Sequence, residues 1–223
     1  MSRIVWKEGS VISIETRRNV FNLAQMTRSP YLIFFNLFRE DDDWRDINLN
    51  ESPVLFCKAV TRHFLQNSNI TKRKDIKPNN NYKLPTEWLH SDAQGQIIKI
   101  WEGSDYEREC LLLGTRFSLV EKDIEGHPGG PRKHHSGVFD ALLVGEVPKD
   151  DIATIDSHET TGLSVFPETN ERLYLCYKFG KNVDPHKELI VGRELPIEYE
   201  TYFKITGKLS EKDKSDLLQL YIA

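Results

Sequence analysis

Eight consecutive residues, Tyr31-Leu32-Ile33-Phe34-Phe35-Asn36-Leu37-Phe38, constrain what this chain can fold into more than any other segment. In a strand, successive side chains point to opposite faces. Tyr31, Ile33, Phe35 and Leu37 then share one face, and Leu32, Phe34, Asn36 and Phe38 the other. Both faces are apolar, so the spacing predicts a central strand covered on two sides. The run is far short of the roughly 20 apolar residues of a membrane-spanning helix.

The neighbouring segments extend the sheet. Val11–Thr16 and Val20–Met26 read as a hairpin around Arg17-Arg18-Asn19, and Ser29-Pro30 breaks the second strand before Tyr31. Val54–Val60 reads as a further strand, with Thr61–Phe64 extending it or starting a turn of helix. Residues 67–81 read as a long polar loop. Ile97–Gly103 reads as a strand and turn, and Glu109–Val120 as two strands around Gly114, since glycine weakens a helix interior. Val138–Val147, Arg172–Gly180 and Tyr199–Gly207 are expected strands. Arg172–Gly180 is assigned on the alternation of Leu173, Leu175, Tyr177 and Phe179. Ser210 looks like the cap of a short C-terminal helix packed through Leu217, Leu218, Leu220 and Tyr221. The expected class is α+β and β-rich, a curved antiparallel sheet or partly open barrel with a short C-terminal helix. The 223 residues suit one domain, or two β-rich subdomains meeting near 67–95.

The three cysteines, Cys57, Cys110 and Cys176, lie far apart among apolar neighbours. They read as buried thiols of a reducing, cytoplasmic compartment. The opening residues lack the apolar core of a secretory leader. A formal net charge of −4 argues against a generic nucleic-acid binder. The charge is unevenly spread. Residues 40–51 hold six acidic groups against one basic, and residues 58–83 hold seven basic against one acidic. Such blocks either steer partners or neutralise one another across the folded surface.

The chemistry-bearing candidates are few. The loop 126–137 gathers His127, His134 and His135 with Arg132, Lys133 and several glycines. Its spacing fits neither a phosphate loop nor a helical pair of metal ligands. A catalytic triad assembled from Cys110 or Ser136 with His134 and Asp140 has no marking motif around it. The basic stretch Lys72–Lys77 lacks the interleaved aromatics of a base-stacking platform. The acidic run is the more suggestive feature. Asp41, Asp42, Asp43 and Asp46 surround Trp44, the pattern of a charged, aromatic-anchored protein contact. In the alternative, Trp44 folds inward and the aspartates solvate a turn.

The opening stretch carries a resemblance. Trp6-Lys7-Glu8-Gly9-Ser10-Val11-Ile12-Ser13-Ile14, then Leu23-Ala24-Gln25-Met26, then Tyr31-Leu32-Ile33-Phe34-Phe35, resembles the immunity protein twenty-six family of bacterial polymorphic-toxin systems. The likeness is strongest over the first 45 or so residues. It implies a cytoplasmic bacterial protein that binds and neutralises a cognate protein toxin, with no catalytic residues and no cofactor or metal. The competing reading is a small enzyme or nucleic-acid-processing protein using the loop 126–137.

Overall fold

The computed structural model describes residues 4–122, 124, 139–207 and 211–221. The glycine- and histidine-rich loop 126–137, with His127, His134 and His135, lies outside them, as do Val138 and Ser210. In chain order the first elements are β1 (Val11–Arg17), β2 (Val20–Met26), β3 (Tyr31–Arg39), β4 (Val54–Val60), α1 (Arg62–Asn67) and β5 (Ile70–Arg73). Next come β6 (Glu87–Ser91), β7 (Gly95–Ile100), β8 (Arg108–Leu113), β9 (Phe117–Glu121) and β10 (Ala141–Val147). The remainder is α2 (Ile152–Ser157), β11 (Leu163–Ser164), α3 (Glu168–Phe179), α4 (Pro185–Val191), a 3-10 turn at Ile197–Tyr199, α5 (Glu200–Thr206) and α6 (Glu211–Leu218). The fold is α+β and β-rich, as expected, with a short C-terminal helix.

The chain divides into two compact units. The first comprises Met1–Tyr82, Leu163–Pro185 and Pro196–Ala223. It holds a six-stranded sheet in the order β11-β4-β3-β2-β1-β5. The strands pair antiparallel except for the short parallel pair β11/β4. The sheet stays open, with β11 and β5 as its edges. Bulges at Glu15/Arg17, Asn22/Ala24 and Phe34/Phe35 break the register. Extra residues of this kind bend a strand and increase its twist, which curves the sheet.

β3 is central, as its two apolar faces require, and Tyr31 to Phe35 are all buried. On one face Ile12, Ala24, Phe34 and Phe56 are successive cross-strand neighbours. Phe34 packs 4.7 Å from Phe56 and edge-on to Phe64 of α1, while the Arg172 guanidinium of α3 lies 4.0 Å over Phe56. The opposite face carries Ser13, Gln25 and Ile33, and loops cover it. Gln25 exchanges hydrogen bonds with the backbone of Asn79, and the Asn79 side chain donates to Leu49 O. Helices on one side and hydrogen-bonded loops on the other bury both faces.

Two expected strands are helices. Arg172–Gly180 belongs to α3, and Tyr199–Gly207 is the 3-10 turn followed by α5. α3 buries Thr169, Asn170, Glu171 and Arg172 ahead of Leu173, Leu175 and Cys176. Its covered face is half polar, so its apolar residues alone do not report its period. The expected loop 67–81 contains the edge strand β5, and Thr61 caps α1 by accepting from Phe64 N. All three cysteines are free and buried.

The second unit comprises Lys83–Gly162 and His186–Leu195. A three-stranded antiparallel sheet, β10-β9-β6, and a two-stranded ribbon, β7-β8, surround Leu89, Leu112, Phe117, Val147, Ile155 and Ile190. Lys187 is buried and donates to the carbonyls of Ile155 and His158 at the end of α2, where a cation suits the helix dipole. Gly114 joins β8 to β9 at φ +92, and a Cβ there would sit 2.6 Å from Ser91 Cβ. Gly114→Ala is therefore expected to destabilise by more than about 1 kcal/mol, because the left-handed conformation and the clash act together. A melting temperature unchanged by that substitution would contradict this account of the turn.

Candidate partner-binding surface

The acidic run leaves the end of β3 and turns beneath the loop-covered face of the sheet. Trp44 is 2% exposed. A buried indole N–H requires an acceptor, and Asp42, two residues earlier, supplies one at 2.6 Å. Ser13 Oγ of β1 lies 3.1 Å from the same nitrogen and donates to Asp42 Oδ1 at 2.5 Å. Arg73, at the end of β5, donates to the Asp42 carbonyl at 2.7 Å and pairs with its carboxylate at 3.4 Å. Arg39 lies 5.6 Å over the Trp44 ring. Trp44, Asp42, Ser13 and Arg73 thus fasten the turn to two strands.

The five residues singled out by sequence do different work in the fold. Trp44 and Asp42 face inward and hold the turn, so Trp44 is not an exposed anchor. Asp43 pairs with the exposed Arg45, whose guanidinium holds the Asp43 carboxyl below its ordinary range. Asp41 and Asp46 are exposed. Asp46 adopts φ 60, a left-handed conformation that aspartate and asparagine tolerate better than most residues. Glu40, also exposed, accepts from the Tyr177 hydroxyl of α3 at 2.6 Å. The surface this turn offers is a set of carboxylates carried on a fastened backbone rather than an aromatic knob.

The sequence pattern links neither Ser13 nor Arg73 to the acidic run. Arg73 sits in the basic stretch Lys72–Lys77, where it neutralises Asp42 and Asp75, and Ile76 of that stretch is buried. The neighbouring blocks of opposite charge were the available signal, and Arg73 is where they meet. Among the described residues, no group of three or more His, Cys, Asp or Glu is placed to hold a metal ion. No described helix is long and apolar enough to cross a membrane.

Residues 1–193 match the family model described as "Domain of unknown function (DUF8309)". The chain belongs to the DUF8309 family. The match spans β1 to β11, the acidic turn and α1 to α4, and stops short of α5 and α6. No curated protein and no solved structure matches the chain.

Proposed function

We propose that this DUF8309 protein is a non-enzymatic immunity protein of the cytoplasm, which binds and neutralises a cognate bacterial toxin domain. The resemblance of its opening strands to the immunity protein twenty-six family supports this reading. The observation that carries it is the acidic turn, where Asp41 and Asp46 are displayed on a backbone pinned by Trp44, Asp42, Ser13 and Arg73. Carboxylates on a pinned backbone attract a cationic partner over distances comparable to the Debye length, and the backbone needs no reordering on contact. A nuclease-like toxin with a basic substrate groove is the kind of partner such a turn suits.

Affinity capture of the tagged full chain from its native cell, read by mass spectrometry, tests the reading. A stoichiometric partner carrying a toxin domain is the supporting result. With that partner in hand, Asp41→Asn combined with Asp46→Asn is expected to slow association by about 3–10-fold at low salt and to flatten its salt dependence. Dissociation should change less. Asp42 is excluded from the variant because it holds the turn. Association rates unchanged at low salt would refute the acidic-turn mechanism.

A further inference from the structure

Among the described residues, the second unit carries most of the large apolar side chains that the fold leaves in water, and three of them lie together on one ribbon. In the β7–β8 register, Gly95 faces Leu113, Ile97 faces Leu111, and Lys99 faces Glu109. These six residues share one face. The other face buries Ile100, Cys110 and Leu112 in the unit's core. A half-buried ribbon ordinarily turns polar residues to solvent. Here Ile97 is 69% exposed, Leu111 50% and Leu113 56%.

The face has relief and a charge gradient. A Cβ on Gly95 would lie 3.6 Å from Leu111 Cδ1 and 3.7 Å from Leu113 Cδ2. The missing side chain leaves a notch beside two leucines, a place where another chain can approach closely. At the far end Lys99 Nζ donates to Glu107 at 2.9 Å, with Glu102 and Glu109 also close enough to hold its charge. One cation among three carboxylates leaves that end acidic. β7 and β8 pair only with each other among the described strands.

We propose that this ribbon face docks an extended, basic protein segment whose contacting face runs from apolar residues to lysine or arginine. Residues two apart in a strand are about 6.6 Å apart. An apolar side chain seated over the Gly95 notch and Ile97 therefore places the next residue on that face over Lys99 and Glu109, where a cation is favoured. A second copy of this chain suits the face less well. The chain's net charge of −4 opposes self-association. Three partly exposed apolar side chains also offer far less than the roughly 800 Å² per partner of a stable interface. This face lies in the other unit from the acidic turn, and binding to it needs no toxin.

The test uses the full chain and a fluorescein-labelled peptide of about ten residues, the length of a long strand. One face of the peptide carries Leu, Leu, Lys and Lys, with threonine between them; a control replaces the lysines with glutamate. Fluorescence anisotropy at low ionic strength should show saturable binding of the lysine peptide, at least about 10-fold tighter than the control. Ile97→Thr combined with Leu111→Thr should weaken binding by about 10-fold, through lost apolar contact, while leaving the melting temperature near that of the parent. Glu109→Lys should weaken the lysine peptide and not the control. No saturable binding, equal binding of the two peptides, or indifference to the threonine variant would overturn the proposal. So would sedimentation showing a dimer that the threonine variant abolishes, since that assigns the face to a second copy.

Discussion

Replacing Glu171 by alanine is expected to remove about 3 kcal/mol of stability, toward the low end of the range for breaking a buried ion pair. Glu171 is wholly buried on α3. Its carboxylate receives Arg17 Nε at 2.8 Å and Arg17 Nη2 at 2.5 Å, and it also accepts the Tyr221 hydroxyl. Arg17 lies 4.0 Å over the Tyr174 ring, one turn further along the helix. One carboxylate thereby ties the end of β1, the helix and the C-terminal segment together. Burial and the Glu171 carboxylate push the Tyr221 phenol far up, so it stays a neutral donor. Alanine would leave the guanidinium without its counter-charge and the phenol without its acceptor. The Arg17 side chain keeps 21% exposure, and water reaching it limits the loss. Urea unfolding should show a lower midpoint with an unchanged slope. Adding Arg17→Met should recover part of the loss, because the uncompensated charge is gone. A single-variant loss below about 1 kcal/mol, the level of an exposed pair, would show that the network does not hold these elements.

That network also shows why α3 was hard to read. Leu173, Leu175, Tyr177 and Phe179 alternate as strand residues do. The helix, however, buries Asn170, Glu171 and Arg172 through specific partners: Asn170 with Ser68 and the Glu15 carbonyl, and Arg172 with Asp184 and the Val183 carbonyl. A hydrophobic pattern cannot report a face covered by polar groups whose partners lie many residues away. The end signals were nevertheless present. Pro167 precedes the helix, Glu168 and Glu171 sit in its first turn, Lys178 in its last, and Gly180 closes it at φ 66. By contrast, β1 to β4 were legible because turn residues bound runs that are apolar on one or both faces. α5 is too short for a period to emerge, and its adjacent buried Tyr202 and Phe203 carry strand propensity. At the acidic turn, composition marked the place but not the division of labour. Whether Trp44 points in or out depends on Ser13 and Arg73, each about 30 positions away along the chain.

Trp44→Ala is expected to destabilise by about 3–5 kcal/mol, the usual consequence of emptying a large buried aromatic site. Trp44→Phe separates two roles that the alanine variant merges. Phenylalanine fills most of the space but lacks the indole N–H, so the Asp42 carboxylate loses one donor and keeps Ser13 and Arg73. A loss of about 1.5–3 kcal/mol is expected, the range for a hydrogen bond to a charged group. The more telling readout is local. Amide hydrogen exchange over residues 40–46 should accelerate in Trp44→Phe by more than it does in β2 or β3, because opening of the turn no longer breaks that bond. Association with the partner proposed above should slow in the same variant if the turn acts from a fixed position, since Asp41 and Asp46 would have to be reordered on contact. Unchanged exchange in Trp44→Phe would mean that Ser13 and Arg73 hold the turn without the indole. Faster exchange with an unchanged association rate would mean that the carboxylates steer by charge alone, wherever the turn places them.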